Sequence, residues 1–114
     1  MNSVQTPRRG DLVWLDFTPQ AGHEQTGRRP ALILSPENYN RKTGLALACP
    51  ITNQAKGYPF EVLLPAGLTV TGVVLSDHVR SIDWHARRAE RAGKADEDIL
   101  AEVAGKLAAL IGEE

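Results

Sequence analysis

The stretch GDLVWLDF, residues 10–17, decides the fold because it predicts the first strand of a β-rich domain. Gly10 precedes a run of β-branched and aromatic side chains, a composition typical of strands. Turn-prone segments separate the later apolar runs, so the chain predicts a small, mostly antiparallel β-barrel. Those later runs lie at residues 31–34, 45–51, 60–64 and 73–83.

Two helices complete the predicted fold. Ser35 and Pro36 form a helix-start signal, with Ser as the cap and Pro at the first helical position, so we expect a short helix near residues 36–42. From Asp96 onward apolar residues recur with a helical period and acids occupy the first turn, which predicts a helix near residues 96–111. The expected architecture is mostly β with a C-terminal helix.

Length and composition limit the class of protein. The chain has 114 residues, of which 42% are apolar and 24% charged, and this suits one domain over residues 1–114 with a flexible tail at 1–9. We find no membrane-spanning run and no signal peptide in the sequence. The single Cys49 lies in an apolar run, which predicts a buried thiol and a cytoplasmic, reducing environment.

The charge is unevenly distributed along the chain. Residues 1–94 carry 12 Lys and Arg against 8 Asp and Glu, a net charge of +4, whereas residues 95–114 carry 1 against 6, a net charge of −5. The first part of the chain is therefore suited to an anionic partner, and the acidic terminal helix is not expected to contact a polyanion.

A polar segment, residues 18–30, is too long for a tight hairpin, and we predict an exposed loop. It places His23, Glu24, Arg28 and Arg29 close together, so that proton carriers lie beside fixed positive charge. Cleavage of RNA by its own 2′-hydroxyl needs such groups to accept a proton, protonate the leaving oxygen and stabilise the phosphate. Taken alone, an ordinary solvated loop is the more frequent explanation.

A second polar cluster, residues 52–58, follows a predicted strand. It offers a hydroxyl, two amides, an ammonium and an aromatic ring, all of which bind bases or phosphates of single-stranded RNA. A plain connecting loop is again the more frequent explanation when the cluster is taken alone. The sequence has no His/Cys/Asp pattern with zinc spacing and no nucleotide-binding glycine motif, so we expect no metal and no cofactor.

Taken together, these segments closely resemble the MazF/PemK toxin family. The loop motif combined with Lys56-Gly-Tyr-Pro-Phe60 is far more specific than either part alone. The likeness extends over roughly residues 8–112 and rests on Gly10–Phe17, Gly22–Ala31, Leu34–Pro36, Tyr39–Asn40, Pro50–Val62, Gly72–Trp84 and the terminal helix.

The resemblance implies a homodimeric, SH3-like β-barrel of the CcdB/MazF-like type. Members of the family cut single-stranded RNA, including mRNA, at short sequences without a metal, and the cut leaves 2′,3′-cyclic phosphate and 5′-hydroxyl ends. The implied partner is a MazE-like antitoxin with an acidic segment, which would complement the positively charged first part of this chain.

The resemblance also assigns roles to residues. Arg29 matches the main catalytic position and Thr52 the phosphate-holding partner, while Glu24 matches a carboxylate proposed as general base. His23, Glu24 and Asp77 stay open as the group that accepts the 2′-hydroxyl proton. Because the pKa of arginine lies above about 12, electrostatic stabilisation is the expected role of Arg29. The residues expected to contact RNA are Phe17, His23, Gln25, Thr26, Asn53, Gln54, Lys56, Asp77 and His78.

One departure from the family pattern and two alternative functions remain. PemK-type toxins carry an Arg two residues before the Asp that matches Asp77, but this chain has Leu75 there, which places more of the catalytic burden on Arg29. The alternatives are a non-catalytic CcdB-like toxin that poisons DNA gyrase and an inactive homologue that only binds antitoxin or RNA. Gyrase poisons act through an aromatic-bearing tail, whereas residues 110–114 contain no aromatic side chain.

Overall fold

The computed structural model describes residues 4–17 and 27–112 of the chain. A mostly β fold with a C-terminal helix is observed there, which confirms the predicted class. A single 3-10 turn, Ser76–His78, interrupts the second half of the chain. The elements of these two ranges are β1 (Asp11–Asp16), β2 (Arg28–Ile33), α1 (Glu37–Thr43), β3 (Leu45–Thr52), β4 (Glu61–Leu63), β5 (Val73–Leu75), β6 (Arg80–Asp83), β7 (Glu90–Lys94) and α2 (Glu97–Ile111).

The strands pair antiparallel throughout, in the spatial order β4-β5-β3-β2-β1-β7. The central strand β3 pairs with β2 along one edge. Along its other edge, β6 pairs with the first half of β3 and β5 with the last two residues. The 3-10 turn lies where the partner changes from β5 to β6, so its side chains lie beside the end of β3.

The predicted antiparallel β fold is observed, with a sheet that is open rather than closed. Among the described strands, the ladder stays open between its two ends, β4 and β7. The strand β4 has only three residues, and Pro65 soon after it has no N–H to extend the ladder. The gap is bridged by a side chain instead, because the Thr69 hydroxyl donates to the Ala92 carbonyl of β7.

Three further details correct the sequence analysis. Residues 73–83 form two strands around the 3-10 turn rather than one run. The strand β7 was missed because its sequence, ERAGK, carries mostly charged and small residues, and its pairing with β1 makes it a strand. Arg28–Pro30 belong to β2 rather than to a loop, since they continue the ladder with β1.

An apolar cluster lies on each face of the sheet, as the alternation of side chains in strands requires. One cluster joins strand residues such as Leu12 and Leu32 to Ile99 and Val103 of α2. The other contains Val13, Leu15, Ala31, Ile33 and Ile82. None of the described helices is both long and apolar enough to span a membrane.

A buried polar group joins α1 to the N-terminal segment. Pro36, not Ser35, occupies the N-cap of α1. The Ser35 hydroxyl instead donates to Oδ1 of the buried Asn40 at 2.6 Å and accepts from the Leu47 N–H at 2.9 Å. Nδ2 of Asn40 donates to the carbonyl of the buried Pro7 at 2.9 Å, so that part of the segment expected to be a flexible tail lies against the body.

Candidate active site

An open groove of about 690 Å³ lies where β2 begins and β3 ends. It brings together residues that the sequence analysis selected from distant segments. Asn53 lies beside the groove but does not line it, because its Oδ1 accepts a hydrogen bond from the Thr71 hydroxyl at 3.0 Å. His23, Glu24, Gln25 and Thr26 lie outside the described residues. The selected residues that line the groove are Phe17, Arg29, Thr52, Gln54, Lys56, Asp77 and His78.

The positions of Arg29 and Thr52 follow from the register between β2 and β3. Ala31 and Pro50 form the last pair of the β2–β3 ladder, and the same register continued by two residues carries Arg29 toward Thr52. Residues directly opposite each other in an antiparallel pair project to the same face of the sheet. Two motifs that are 23 positions apart in the sequence thus meet in one groove.

The Thr52 hydroxyl is held by a local hydrogen bond. Its Oγ1 accepts from the Gln54 N–H at 3.1 Å, a side-chain turn typical of Ser and Thr at a strand end. Because a hydroxyl has one proton and two acceptor lone pairs, this bond leaves the proton available for donation. The arrangement suits a contact with a phosphate oxygen.

Residues 53–60, which we call the arch, run along one side of the groove. The consecutive backbone N–H groups of Lys56 and Gly57 in the arch donate to the carboxylate of Glu61, at distances between 3.0 and 3.2 Å. Gly57 has φ +79, a conformation that favours glycine. At the far end, Nζ of Lys106 on α2 donates to the Pro59 carbonyl at 2.7 Å. The arch presents Gln54, Lys56 and Tyr58 to the groove.

The opposite wall contains an aromatic ring with a cation above it. The Arg80 guanidinium lies 5.2 Å from the centroid of the Phe17 ring, within the range of a cation–π interaction. The sequence analysis selected Phe17 but missed Arg80, which follows the 3-10 turn as the first residue of β6. Its selection required the pairing of β6 with β3, which the sequence does not state. Glu61 was likewise not selected, and Tyr58 was noted only as the aromatic ring of the polar cluster 52–58.

Asp77 and His78 approach the groove on the 3-10 turn. Oδ1 of Asp77 lies 3.7 Å from Nε2 of His78, and both side chains are exposed. Unlike the exposed side chains of Asp77 and His78, the nearby side chain of Cys49 is buried. Burial, with a smaller contribution from the Asp77 charge, raises the pKa of its thiol to about 12, so Cys49 is a buried, unreactive thiol, as predicted.

Arg28 points away from the groove, although the sequence analysis grouped it with Arg29. Its guanidinium donates to Oδ1 of Asp16 at 2.9 Å and to the carbonyls of Trp14 and Arg88 at 3.1 and 2.6 Å. Nε of Arg88 also donates to Asp16, at 2.8 Å. The hydrogen bond from Arg88, followed by that from Arg28, holds the pKa of the Asp16 carboxyl below its ordinary value.

The groove therefore combines fixed positive charge, a hydroxyl donor, amides and aromatic rings. These are the groups that bind a sugar–phosphate chain with unpaired bases. Within residues 4–17 and 27–112, no three His, Cys, Asp or Glu side chains lie close enough together to hold a metal ion.

Comparisons of the sequence with known proteins give one consistent family match. Residues 8–111 match the family described as PemK-like, MazF-like toxin of type II toxin-antitoxin system. The endoribonuclease toxin MazF of Escherichia coli (strain K12) is 49% identical over 112 residues, which cover 98% of this chain and 100% of that protein. The endoribonuclease PemK of Escherichia coli is 40% identical over 107 residues, covering 90% and 80%.

Solved structures give the same result for the fold. A crystal structure of MazE-MazF (Form-II) from Deinococcus radiodurans matches with a TM-score of 0.91 and 64% identity, over 96% of this chain and 99% of that one. A structure of MazF (Form-I) from the same organism matches with a TM-score of 0.87 and 65% identity, over 96% and 99%.

Proposed function

Because the chain belongs to the PemK-like, MazF-like family of toxins, we propose that it is an endoribonuclease that cleaves single-stranded RNA at short sequences and acts as the toxin of a toxin–antitoxin pair. The observation that carries the proposal is the meeting of Arg29 and Thr52 in one open groove. Relatives that are 49% and 40% identical over most of this chain are named endoribonucleases, which supports the same activity here.

The proposed reaction uses the 2′-hydroxyl of RNA as nucleophile. The 2′-oxygen bonds to the adjacent phosphorus while its proton passes to a base. The bond from phosphorus to the 5′-oxygen breaks, and that oxygen leaves with a proton. The products are a 2′,3′-cyclic phosphate and a 5′-hydroxyl.

Arg29 and Thr52 act on the phosphate in this proposal. Negative charge builds on the non-bridging oxygens as the fifth bond to phosphorus forms, and preorganised donors near those oxygens lower the barrier. The Arg29 guanidinium supplies fixed charge in a planar fork that suits phosphate. The Thr52 hydroxyl, with its lone pair already engaged by the Gln54 N–H, supplies a directed proton.

The general base is one of three residues. Glu24 and His23 belong to the segment that precedes β2 in the sequence and lie outside the described residues. Asp77 lies in the groove on the 3-10 turn. Any of the three has the proton-accepting chemistry that the 2′-hydroxyl requires.

Binding of the RNA chain is proposed for the residues around this centre. Phe17 offers a stacking surface for a base, Gln54 offers an amide, and Lys56 and His78 offer contacts to phosphate. Stacking on Phe17 requires an unpaired base, so a paired substrate is disfavoured. We propose RNA contacts also for Asn53 at the edge of the groove and, from the family resemblance alone, for Gln25 and Thr26, which lie outside the described residues.

The proposed partners are a MazE-like antitoxin and a second copy of the chain. Solved relatives include MazE-MazF complexes from Deinococcus radiodurans at 64% identity, which supports an antitoxin partner. We propose a cytoplasmic location, since mRNA is the expected substrate and the free Cys49 thiol suits a reducing environment. The gyrase-poison alternative is not favoured, because the relatives are named endoribonucleases.

The experiment that tests this function begins with purified protein, a long mixed-sequence RNA and a metal chelator. We expect cuts that recur at one short motif, with 2′,3′-cyclic phosphate ends. A synthetic RNA containing that motif is then made with a single 2′-deoxynucleotide on the 5′ side of the cut. We expect the deoxy substrate to bind but to stay intact, and its cleavage would contradict attack by the 2′-hydroxyl.

A further inference from the structure

The carboxylate of Glu61 lies in a groove that is proposed to bind a polyanion. Glu61 is the first residue of β4, it lines the same groove as Arg29 and Lys56, and it is only partly exposed. An uncompensated negative charge at that place repels phosphate and weakens binding of RNA. Its presence therefore calls for a physical reason.

The hydrogen bonds of Glu61 supply the reason. Its Oε1 and Oε2 accept from the Lys56 N–H at 3.2 and 3.0 Å, and Oε1 also accepts from the Gly57 N–H at 3.0 Å. Two successive backbone N–H groups of this kind form a concave anion site, often called a nest. Here the anion is the Glu61 carboxylate of the same chain, and the backbone N–H groups of the arch stabilise its negative charge.

The arch has few other attachments. Residues 53–59 are all exposed, so the arch is not held by burial in an apolar core. At its first end, the Gln54 N–H donates to Thr52 and the Thr71 hydroxyl donates to Asn53. At its far end, Lys106 donates to the Pro59 carbonyl, and backbone N–H groups of Ser76 and Glu61 donate to the carbonyls of Phe60 and Tyr58. Glu61 holds the middle, where the chain turns at Gly57. Segments with few buried contacts open locally at little cost, so these charge-assisted hydrogen bonds decide how often the middle of the arch opens.

We infer that Glu61 is a positioning residue for substrate binding. It holds Lys56 and Tyr58 at the side of the groove, so that the Lys56 ammonium group and the Tyr58 phenol ring contact the RNA in one fixed arrangement. The inference rests on the proposed function and deepens it, because it names the group that orders the RNA-binding arch. The chemistry at the phosphate stays with Arg29 and Thr52.

The sign of one substitution separates this role from a simple charge effect. Glu61→Gln removes the negative charge, and by electrostatics alone it lowers the KM for RNA. The same substitution replaces the Oε2 that accepts from the Lys56 N–H at 3.0 Å with an NH2 group, and it removes the charge that strengthens the other two hydrogen bonds. Both changes loosen the arch. As a positioning residue, Glu61 therefore gives the opposite result, a KM for RNA that is higher by roughly tenfold.

Glu61→Asp provides the second arm of the test. It keeps the charge but shortens the side chain by one methylene, so the carboxylate no longer reaches both N–H groups. Both variants are expected to raise KM roughly tenfold while kcat changes by less than about twofold. The matched control is Glu37→Gln, which removes a carboxylate on α1 outside the groove and is expected to leave KM unchanged. A lower KM for Glu61→Gln, or an unchanged KM for both Glu61 variants, would overturn the inference.

Amide hydrogen exchange tests the same point without cleavage. In the Glu61→Gln variant the amides of Lys56 and Gly57 are expected to exchange roughly tenfold faster, while amides of β3 exchange as in wild type. Unchanged exchange at both amides would overturn the positioning role even if RNA is cleaved. Two other results together would separate the proposals: no RNA cleavage by the wild-type protein, and faster amide exchange in Glu61→Gln. They would refute the proposed function and leave the role of Glu61 in the arch intact.

Discussion

Arg28 and Arg29 are neighbours in β2 and lie in two different environments. The guanidinium of Arg28 contacts Asp16 and two backbone carbonyls, in a hydrogen-bonded cluster that joins β1, β2 and the turn before β7. The side chain of Arg29 lines the open groove opposite the position of Thr52. Alternation along a strand separates them, so one arginine stabilises the fold and the other is available to a ligand.

The largest effect is expected from the groove side. Arg29→Ala is expected to lower the single-turnover rate of RNA cleavage by about 10²- to 10³-fold, as the loss of a preorganised donor to a developing oxyanion does. The free energy of unfolding is expected to change by less than about 0.5 kcal/mol, because the side chain is exposed. Arg29→Lys keeps the charge without the planar fork and serves as the matched variant, for which we expect an intermediate rate. Wild-type cleavage by Arg29→Ala would remove the residue from the catalytic site.

The next effect lies on the structural side. Arg28→Ala removes one of the two arginines that donate to Asp16 and leaves two carbonyls without their side-chain donor. We expect a loss of about 2 kcal/mol in the free energy of unfolding, measured by urea titration. Cleavage per folded molecule is expected to stay within about twofold of wild type, since this side chain lies outside the groove. Arg41→Ala, on the exposed face of α1, is the control for loss of one positive charge. A stable but inactive Arg28→Ala variant would erase the distinction between the two arginines.

A smaller effect is expected at the partner of Arg29. Thr52→Val removes the hydroxyl and keeps the shape, so we expect cleavage to fall about tenfold through the loss of one hydrogen bond to the phosphate. Thr52→Ser keeps the hydroxyl and is expected to retain most of the rate. Equal losses for Val and Ser would show that the methyl group matters rather than the hydroxyl, and single-turnover kinetics on one defined RNA distinguish the two.

The pH dependence of stability sharpens the comparison from the Arg28 side. The pKa of Asp16 is lowered in the folded protein, chiefly by Arg88. The ionised Asp16 carboxylate therefore stabilises the fold fully at a pH above the pKa that this carboxyl has in the unfolded chain. This stabilisation is lost as the pH falls through the lower, folded value. We expect Asp16→Asn to flatten that part of the acid-unfolding profile, and Arg88→Ala to reproduce most of the flattening. An unchanged profile in Asp16→Asn would show that this cluster contributes no pH-dependent stability.

The elements that depend on local patterns were predictable from the sequence. The periodic apolar stripe and the acids of the first turn predicted α2, and the Asp96 side chain caps it by accepting from the Ile99 N–H at 3.0 Å. The resemblance to known toxins led to Arg29 and Thr52, and the structure places them in one groove. Whether the site residues have the assigned roles stays a prediction.

The rest depends on register, which no local pattern states. The different environments of Arg28 and Arg29 follow from the pairing of β2 with β1 and β3. Arg80 reaches the groove because β6 pairs with β3 after the 3-10 turn. The ladder stays open between β4 and β7 because β4 is short. The Thr69 hydroxyl, rather than a strand, bridges to β7.

The measurement that tests the account most directly is a double-mutant cycle on the two neighbouring arginines. Arg28→Ala, Arg29→Ala and the double variant are each assayed for urea unfolding and for single-turnover cleavage of one defined RNA. The account predicts that the double variant has the stability of Arg28→Ala and the cleavage rate of Arg29→Ala, with coupling below about 0.5 kcal/mol in both measurements. A larger coupling energy in either measurement would show that the two side chains act as one unit and would contradict the division between fold and chemistry.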